Sequence, residues 1–437
     1  MVPPRPALRA FLLVVLALGA YLPAIQLPFI SDDYHQIPIA RADALAGWAP
    51  LWHDTLLRTR FTYMFLSATL DRIFGFEPFP FYAASISLHI ASVLLLYRIC
   101  VWRAVPLPVA FWGALFFAVQ EGHQEAVMWL AASYDLLVFA FGMAALVAWV
   151  KRLDGGHVNW YFTSLLSFLV AALSKETFGV FALLMMAITV WERHKKGLRP
   201  ALIQLIPFVA ISIAYVMFIW MTKVAGQEVD GRFAISGFKW VAVFFRGLWD
   251  LLFPFGLGAI AILVWARRRS DRLLIAFALL WIVLGILPHS FLTYMPRLAS
   301  RHTYLASGGL ALLFGAAMAR LSKIVPQQRI FRLLIVAVVG INLEIIWVKK
   351  MAQFKERAEP TELLKIAAES ATSPITIDCL TVPDVIAVGA LQSVGGQAII
   401  RKQGPQHDHC FAIEYRNQSG EVVHLNRRIG KRHGAFY

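Results

Sequence analysis

The chain has 437 residues, of which 59% are hydrophobic and only 15% are charged. A soluble protein of this length carries roughly a quarter of its residues as charged side chains, so the composition excludes an ordinary soluble protein, and it is too apolar for a disordered one. The formal net charge is +15, which in a soluble protein would indicate nucleic-acid binding but in a membrane protein usually reflects basic cytoplasmic loops.

Mainly apolar stretches recur along most of the chain. A transmembrane helix needs about 20 such residues, and eleven stretches come close to this length: 7–28, 79–97, 104–120, 134–150, 159–174, 177–191, 201–222, 240–265, 273–289, 301–319 and 333–348. The first continues to Pro28, past any small-residue cleavage site, which favours an uncleaved span over a signal peptide. The eighth contains Arg246, Asp250 and Pro254 and also fits an interfacial segment followed by a span. We therefore predict an α-helical polytopic membrane protein with about 11 transmembrane helices.

Basic residues distinguish the two sides of the membrane. Alternate loops, starting at the N-terminus, carry 18 Lys and Arg residues against three acidic ones, and loops of this kind stay in the cytoplasm. The other loops hold most of the carboxylates near the membrane, among them Asp32, Asp33, Glu121, Glu125 and Glu176. The distribution predicts a cytoplasmic N-terminus, and an odd number of spans places the C-terminal segment outside.

Residues 349–437 differ in composition, with 12 basic and 9 acidic residues and no run long enough to span. Their patterning predicts a small soluble α/β domain. The predicted helices are 361–369 and 383–392, and the predicted strands are 375–380, 397–401, 410–416 and 421–426. Cys379 and Cys410 lie here, where an oxidising exterior permits one disulfide, although two separate thiols fit as well. We divide the chain into a membrane domain, 1–348, and this extracytoplasmic domain.

Two carboxylates and an imidazole leave the membrane together after the first span, in Ser31-Asp32-Asp33-Tyr34-His35. Neighbouring side chains diverge by about 100° on a helix and about 180° on a strand, so the two carboxylates cannot both point at one atom. At most one of them is a reactive base, while the other caps a helix, forms an ion pair or holds a metal. The alternative is that Ser31 or Asp32 only caps a short loop helix.

The second external loop carries Glu121, His123 and Glu125 and no basic residue. The two glutamates share a face if the loop is helical, whereas His123 meets Glu125 only if the chain turns at Gly122. A solvated acidic loop is the alternative.

His89 lies inside the second span, four residues after Ser85 and three before Ser92. Such a polar stripe in an apolar helix faces protein or a cavity. A histidine that hydrogen-bonds to neighbouring helices and a histidine of a substrate site both fit this pattern.

Positive charges gather on the same side. Arg60 precedes the interfacial stretch 61–76, Lys175 and Glu176 occupy a very short turn between two spans, and Arg297 and Arg301 lie four residues apart. If a helix begins at 297–301, both guanidinium groups lie near its positive end, a good place for a phosphate. For the arginines, snorkelling to the interface is the alternative.

Together these groups predict an outward-facing site that transfers a sugar from a lipid phosphate. Phosphate leaves readily when cations stabilise it, the acceptor hydroxyl needs one base, and an oxocarbenium-like transition state needs negative charge nearby. A glycosidase would need two facing carboxylates, which the sequence does not show clearly.

Five short motifs follow one another in these loops. They are Ser31-Asp32-Asp33-Tyr34; Arg60 with 66–75, Pro78 and Ser87-Leu88-His89; His123-Gln124-Glu125 through Trp129, with Asp135; Ser174-Lys175-Glu176; and Ser300-Arg301 through Tyr304. In this order they resemble the motifs of the GT-C superfamily of polyprenyl-phosphate-sugar-dependent glycosyltransferases. The most similar branch is that of the protein O-mannosyltransferases, without tetratricopeptide repeats.

The resemblance implies a GT-C fold with a catalytic first external loop, 29–78. It also implies Asp32 or Asp33 as the base, Lys175 and Arg301 at the lipid phosphate, and His123 and Glu125 at the sugar or acceptor. We add Arg60 and Arg297 to the phosphate ligands, and His35, His89 and Glu176 to the residues that support the sugar or acceptor. Three departures leave the acceptor open: Phe61 in place of proline, Gln120-Glu121 in place of His-Pro, and His302 in place of tyrosine.

The predicted protein is thus an inverting membrane hexosyltransferase with a polyprenyl-phosphate sugar as donor, mannose being one candidate sugar. Its acceptor is a hydroxyl on protein or glycan outside the membrane. The protein is predicted to cross a bacterial cell membrane many times, and no nucleic-acid partner is expected. A divalent metal, Mg²⁺ or Mn²⁺, held by Asp32 or Asp33 with Glu125 is left open. Two rival functions are a flippase of lipid-linked sugars, which would need polar groups through the membrane or broken helices in repeated halves, and a non-catalytic scaffold.

Overall fold

The structure, a computed structural model, describes residues 6–54, 57–194, 197–219, 221, 238–266, 272–292, 298–325, 327–401 and 410–428. The helices in this part of the chain are α1 Pro6–Tyr21, α2 Asp33–Leu45, α3 Phe61–Phe74, α4 Pro78–Arg98, α5 Leu107–Val119, α6 Gln124–Met128, α7 Tyr134–Leu153, α8 Asn159–Ala172, α9 Gly179–Arg193, α10 Leu198–Ile219, α11 Lys239–Leu252, α12 Phe255–Trp265, α13 Arg272–Ser290, α14 Ser307–Ile324, α15 Gln328–Glu344, α16 Met351–Ser370 and α17 Asp384–Gln392. A π-helical segment, Ile345–Lys350, joins α15 to α16.

The apolar stretches fold as helices. Each of the eleven predicted spans falls on one of them, or, for 240–265, on the pair α11 and α12, which meet at 77°. Among the described residues, six helical stretches are long and apolar enough to cross a membrane, and the bent pair would make a seventh. The prediction of a mostly helical, multi-pass membrane protein is confirmed, whereas eleven crossings stay a prediction.

Burial differs along the bundle as expected for a protein in lipid. α7 is covered by protein on nearly all sides, whereas α10 leaves large apolar side chains such as Ile206 and Val216 exposed. Helices α5 and α14 approach closely, since a Cβ at Gly315 would lie 2.1 Å from the Val109 carbonyl oxygen. Small residues permit such contacts between membrane helices, where backbone proximity rather than water expulsion provides the attraction.

The loop 29–78, predicted to be external and called the first external loop on that basis, contains the two helices α2 and α3. A bidentate salt bridge between Arg41 on α2 and Asp71 on α3 holds them together. The α2 helix begins at Asp33, directly after the first span, so the predicted acidic motif lies at its N-terminus.

The C-terminal part forms a four-stranded sheet in the order β2-β1-β3-β4, with strands β1 Ile375–Cys379, β2 Ala398–Ile400, β3 Cys410–Arg416 and β4 Val422–Arg428. Helix α17 connects the parallel pair β1 and β2, while β1 and β3, and then β3 and β4, pair antiparallel. Ile377 pairs with both Ile400 and Ile413. The predicted small α/β domain is confirmed, and Cys379 and Cys410 form a disulfide.

One helical rod joins the two parts of the chain. The predicted short helix 361–369 is the end of α16, which continues without a break from α15 through the π-helical segment. Residue 348 therefore lies within a continuous helix, and the division of the chain at 348/349 stays a prediction. Because of this continuity, α16 contacts the loops that carry the candidate site, through Glu125 and Tyr34.

Candidate active site

Asp33 ties the first external loop to the second. Its carboxylate, fully buried, accepts hydrogen bonds from the backbone N–H groups of Ile30 at 2.9 Å and Ala131 at 2.8 Å. The bond to Ile30 spans only three residues. It forms because Ser31 adopts φ of 49°, in the left-handed region, which reverses the direction of the backbone. Burial raises the pKa of Asp33 to about 7, against the two backbone donors that favour its ionised form. Both of its oxygens are thus used in holding the loops.

Asp32 has a different environment although it is the adjacent residue. It is half-buried, and its side chain makes no capping hydrogen bond to α2, so the alternative that Asp32 only caps the loop helix is wrong. Burial raises its pKa, and the positive charges of Arg301 and Arg357 oppose that rise. The two carboxylates therefore have different surroundings, and a role of Asp32 at a substrate stays a prediction.

The second external loop is buried against the residues that precede α14. Glu125 accepts hydrogen bonds from the Ser300 hydroxyl at 3.1 Å and from the Arg301 backbone N–H at 3.3 Å. Its other oxygen lies 3.7 Å from the Arg357 guanidinium. The guanidinium carbon of Arg301 in turn lies 4.7 Å from the centre of the Trp129 ring. Glu125 thus positions Arg301, and the alternative of a solvated acidic loop is wrong.

These contacts also correct the predicted helix start. The sequence predicts a span from residue 301, but Ser300–Thr303 form a 3-10 turn, and α14 begins only at Ser307. Because Glu125 holds the turn by its backbone, Arg301 precedes the helix instead of lying in its first turn. Arg297 lies outside the described residues, so the expected pair of guanidinium groups on one helix face is not described.

A second group of charges surrounds Tyr134. Arg60 forms a bidentate ion pair with Glu176, at 2.7 and 3.1 Å, and Lys175 forms a buried ion pair with Asp135. The ring of Tyr134 contacts both cations, with its centre 4.2 Å from the Arg60 guanidinium carbon and 5.0 Å from the Lys175 ammonium. The structure therefore brings together the cations predicted from separate loops, each beside a carboxylate.

The histidines occupy less accessible positions. His89 is buried, with Nδ1 2.9 Å from the Tyr304 hydroxyl and Nε2 3.2 Å from the Ala118 carbonyl oxygen. His123 is also buried, with Nε2 2.7 Å from the Ser307 hydroxyl, so it turns away from Glu125. Both histidines form contacts between helices and turns within the bundle. His35 lies on α2 and is half-buried.

The described residues contain no group of three or more His, Cys, Asp or Glu side chains placed to share a metal ion. The donors proposed for a divalent ion are used otherwise, since Asp33 accepts two backbone N–H groups and Glu125 accepts two further hydrogen bonds. Among the described residues Asp32 is not placed with two further such side chains, so no chemical step is assigned to a metal.

Sequence reasoning missed Arg357 and Glu362, which reach the site from α16. Arg357 lies beside Glu125 and Trp129, and Glu362 accepts a hydrogen bond from the Tyr34 hydroxyl at 3.2 Å. No motif marks these residues, and α16 lies more than 200 positions along the chain from the loops it contacts. Only the tertiary path of the α15–α16 rod reveals them.

An apolar groove of about 500 Å³ opens beside the second group of charges. It is lined by Phe61, Thr62, Phe65, Leu66, Ala84, Ser87, Leu88, Leu137, Phe141 and Val170. The Thr62 hydroxyl lies 2.6 Å from that of Ser174, the residue before Lys175. A long apolar chain in this groove would therefore end close to the cations.

Comparisons with known proteins bear on the fold. No protein-family model and no curated protein sequence matches the chain. Among solved structures it is similar to ArnT from Cupriavidus metallidurans in the apo state, with a TM-score of 0.55 and 14% identity over 90% of this chain and 86% of ArnT. It is likewise similar to ArnT from the same organism bound to undecaprenyl phosphate, with a TM-score of 0.52 and 13% identity over 92% of this chain and 87% of ArnT. The chain therefore has a fold similar to that of ArnT over most of both chains.

Proposed function

We propose that this protein is a membrane glycosyltransferase that takes a sugar from a polyprenyl-phosphate donor. The observation that carries the proposal is the half-buried Asp32, which lies within the electrostatic influence of Arg301 and Arg357 on a GT-C fold. A base and cations around one opening are what transfer from a phosphate leaving group needs. The ArnT structure that contains undecaprenyl phosphate supports a donor of this class.

The base is Asp32 and the reaction inverts the anomeric carbon. The carboxylate accepts the proton of the acceptor hydroxyl while the hydroxyl oxygen bonds to the anomeric carbon from the face opposite the phosphate. The bond between that carbon and the phosphate oxygen breaks, and its electron pair leaves with polyprenyl phosphate, which thereby gains one negative charge. Asp33 holds the loop that carries the base, through its bonds to Ile30 and Ala131.

Cations stabilise the departing phosphate. Arg301 is fixed by Glu125 through its backbone, so its guanidinium is already in place when the donor binds. Arg60 and Lys175 are proposed as further ligands, held by Glu176 and Asp135. The apolar groove beside them fits the polyprenyl tail. The sugar is a hexose, with mannose as the first candidate, and the acceptor is a hydroxyl on protein or glycan at the external face.

The test is transfer from radiolabelled polyprenyl-phosphate mannose and polyprenyl-phosphate glucose to host membranes that supply both protein and glycan acceptors. Purified wild-type protein should release polyprenyl phosphate and label an acceptor, whereas Asp32→Asn should reduce the rate by at least about a hundredfold. Asp154→Asn is the matched control, since Asp154 is exposed at the far end of α7, about 30 Å from Asp135.

Undiminished transfer by Asp32→Asn would overturn the mechanism. A flippase would instead move lipid-linked sugar across a reconstituted bilayer without cleaving it, and both variants would retain that flux. A scaffold would show neither activity, and Asp32→Asn would rescue a deletion strain as well as the wild type.

A further inference from the structure

Helix α16 and the residue before it contact both loops that carry the candidate site. Lys350, just before it, lies 3.2 Å from Glu121, and Arg357 lies 3.7 Å from Glu125. Five residues after Arg357, Glu362 accepts the hydrogen bond from the Tyr34 hydroxyl. Successive turns of one rod thus contact the second external loop and then the first, so the C-terminal part of the chain completes the wall of the site.

Arg357 occupies the centre of this contact. Its guanidinium carbon lies 4.6 Å from the centre of the Trp129 ring, and that of Arg301 lies 4.7 Å from the same point. Glu125 contacts both arginines, the first through its ion pair and the second through the backbone N–H. The two guanidinium groups therefore belong to one cluster, although they come from segments more than 50 residues apart.

The chemistry of the proposed reaction gives a second cation a specific task. A polyprenyl-phosphate sugar is a phosphodiester with one negative charge, while the polyprenyl phosphate that leaves is a monoester with up to two. Negative charge therefore grows on the phosphate as the bond breaks, and groups that interact more strongly with the transition state than with the donor accelerate the step. Arginine suits this purpose because its planar fork binds phosphate through two hydrogen bonds.

We infer that Arg357 is a ligand of the departing phosphate, contributed by the C-terminal helix and acting beside Arg301. This inference rests on the proposed function for its substrate. Arg357 is a catalytic residue in the strict sense, since its guanidinium would touch the group that leaves. Its side chain is only 16% exposed, so its charge acts with little screening by water.

The experiment compares Arg357→Gln and Arg357→Lys with Lys355→Gln. Lys355 is an exposed cation two residues earlier on α16, so its variant removes the same charge from the same helix. Binding of undecaprenyl monophosphate and of the neutral alcohol undecaprenol would be measured by native mass spectrometry, and transfer kinetics would be measured with the labelled donor.

Arg357→Gln should weaken binding of undecaprenyl monophosphate by about tenfold to a hundredfold, as expected for the loss of a charged hydrogen-bond donor. Its kcat should fall more than its KM for the donor rises, because the lost charge matters most after the bond breaks. Arg357→Lys should lose less than Arg357→Gln, since it keeps the charge without the fork. Undecaprenol binding, and every property of Lys355→Gln, should stay at the wild-type level.

Wild-type affinity for undecaprenyl monophosphate in Arg357→Gln would overturn the inference. Equal losses in Arg357→Gln and Glu125→Gln, extending to undecaprenol, would also overturn it, because Arg357 would then serve only to dock α16. If Arg357→Gln does not fold, Arg357→Lys decides by the same comparison. If the wild-type protein binds the monophosphate through Arg357 but transfers no sugar, the proposed function is wrong and the phosphate site is still supported.

Discussion

Two adjacent carboxylates have separate tasks because one backbone turn separates them. Ser31 adopts φ of 49°, which a residue with a Cβ rarely takes, and this brings the Asp33 carboxylate back to the N–H of Ile30. Asp32 makes no capping hydrogen bond, and the positive charges of Arg301 and Arg357 lower its pKa against the effect of burial. The different surroundings of Asp32 and Asp33 follow from this local backbone conformation, since the two side chains are chemically identical.

Substitution of each carboxylate by its amide should separate the two tasks. Asp32→Asn should abolish transfer with little change in the unfolding temperature, since no backbone group depends on that side chain for a cap. Asp33→Asn replaces one acceptor oxygen by an amide NH2 group, which can only donate, so the N–H of Ile30 or Ala131 loses its acceptor and the fold should be destabilised by about 1–3 kcal/mol.

Thermal unfolding and labelled-donor transfer on the same preparations would measure both effects. The assignment fails if Asp33→Asn unfolds at the wild-type temperature, or if Asp32→Asn unfolds at a much lower one.

The pH dependence of transfer should reflect the buried pair. The base must be ionised, and burial raises the pKa of Asp32 above its ordinary 3.8 and that of Asp33 to about 7. The logarithm of kcat/KM should therefore increase with pH along an acid limb between about pH 4 and pH 7, with apparent pKa values that belong to the pair. In Asp33→Asn the limb should reduce to the single step of Asp32, because Asp33, the group with the higher pKa, which the Asp32 charge helps to raise, no longer titrates.

Initial rates across pH 4–9, measured at constant ionic strength, would test this expectation. A flat profile in the acid range would contradict it, and an acid limb centred at or below pH 3.8 would contradict the effect of burial.

At the residue scale, the sequence predicted which groups lie at the site better than what each group touches. The positions of Asp32, Lys175 and Arg301 followed from ionisable residues collected at one end of apolar stretches. That His123 turns away from Glu125 to Ser307 could not be predicted, because its direction depends on a 3-10 turn at Glu121–His123 packed against another helix. Arg357 was missed because it sits among other charges in a polar helix.

At the scale of elements, the first external loop is held in place by the C-terminal part of the chain. A Cβ at Gly389 on α17 would lie 2.4 Å from the carbonyl oxygen of Tyr34 on α2. Helix α17 thus packs directly on the residue that follows Asp33, and Tyr34 also donates to Glu362 on α16. The small domain therefore acts on the base through α2.

Gly389→Ala should push α17 away from α2 and disturb the base. Overpacking of this kind typically costs about 1–3 kcal/mol, which exceeds the gain of about 1 kcal/mol expected from placing alanine in a helix. We expect faster proteolysis in the C-terminal domain and slower transfer. Gly340→Ala is the control, since Gly340 also lies in a helix and a Cβ there meets nothing within 4 Å.

Limited proteolysis followed by transfer assays on both glycine variants would decide the point. Equal behaviour of Gly389→Ala and Gly340→Ala would show that the contact between α17 and α2 does not affect the site.

Most elements were predictable because apolar length and alternation are local properties. The strands 375–380 and 410–416 and the helix 383–392 correspond closely to β1, β3 and α17. The start of α14 was not predictable, since Glu125, from a distant loop, holds Ser300–Thr303 in a turn. Nor was the union of α15 with α16, because the polar composition after residue 348 is typical of a loop leaving the membrane.

At the scale of the whole molecule, the charges separate to opposite ends of the bundle. The turns predicted to be cytoplasmic meet at one end, where Arg103 pairs with Glu192 and Asp154. Asp33 and Asp135 lie in the first turns of α2 and α7, and α17 of the C-terminal domain packs on Tyr34 of α2. Orientation in the membrane rests on the excess of basic residues, since lysines and arginines are retained in the cytoplasm.

Cysteine labelling in intact cells would test that orientation. In a Cys100→Ser background, which removes the free thiol and keeps the Cys379–Cys410 disulfide, Gln418→Cys in the turn between β3 and β4 should react with a membrane-impermeant maleimide. His157→Cys, exposed in the turn between α7 and α8, should react only after the cells are permeabilised. The reverse pattern would place Asp32 and the C-terminal domain in the cytoplasm, contrary to the orientation that the positive-inside rule predicts. The donor sugar would then have to face the cytoplasm.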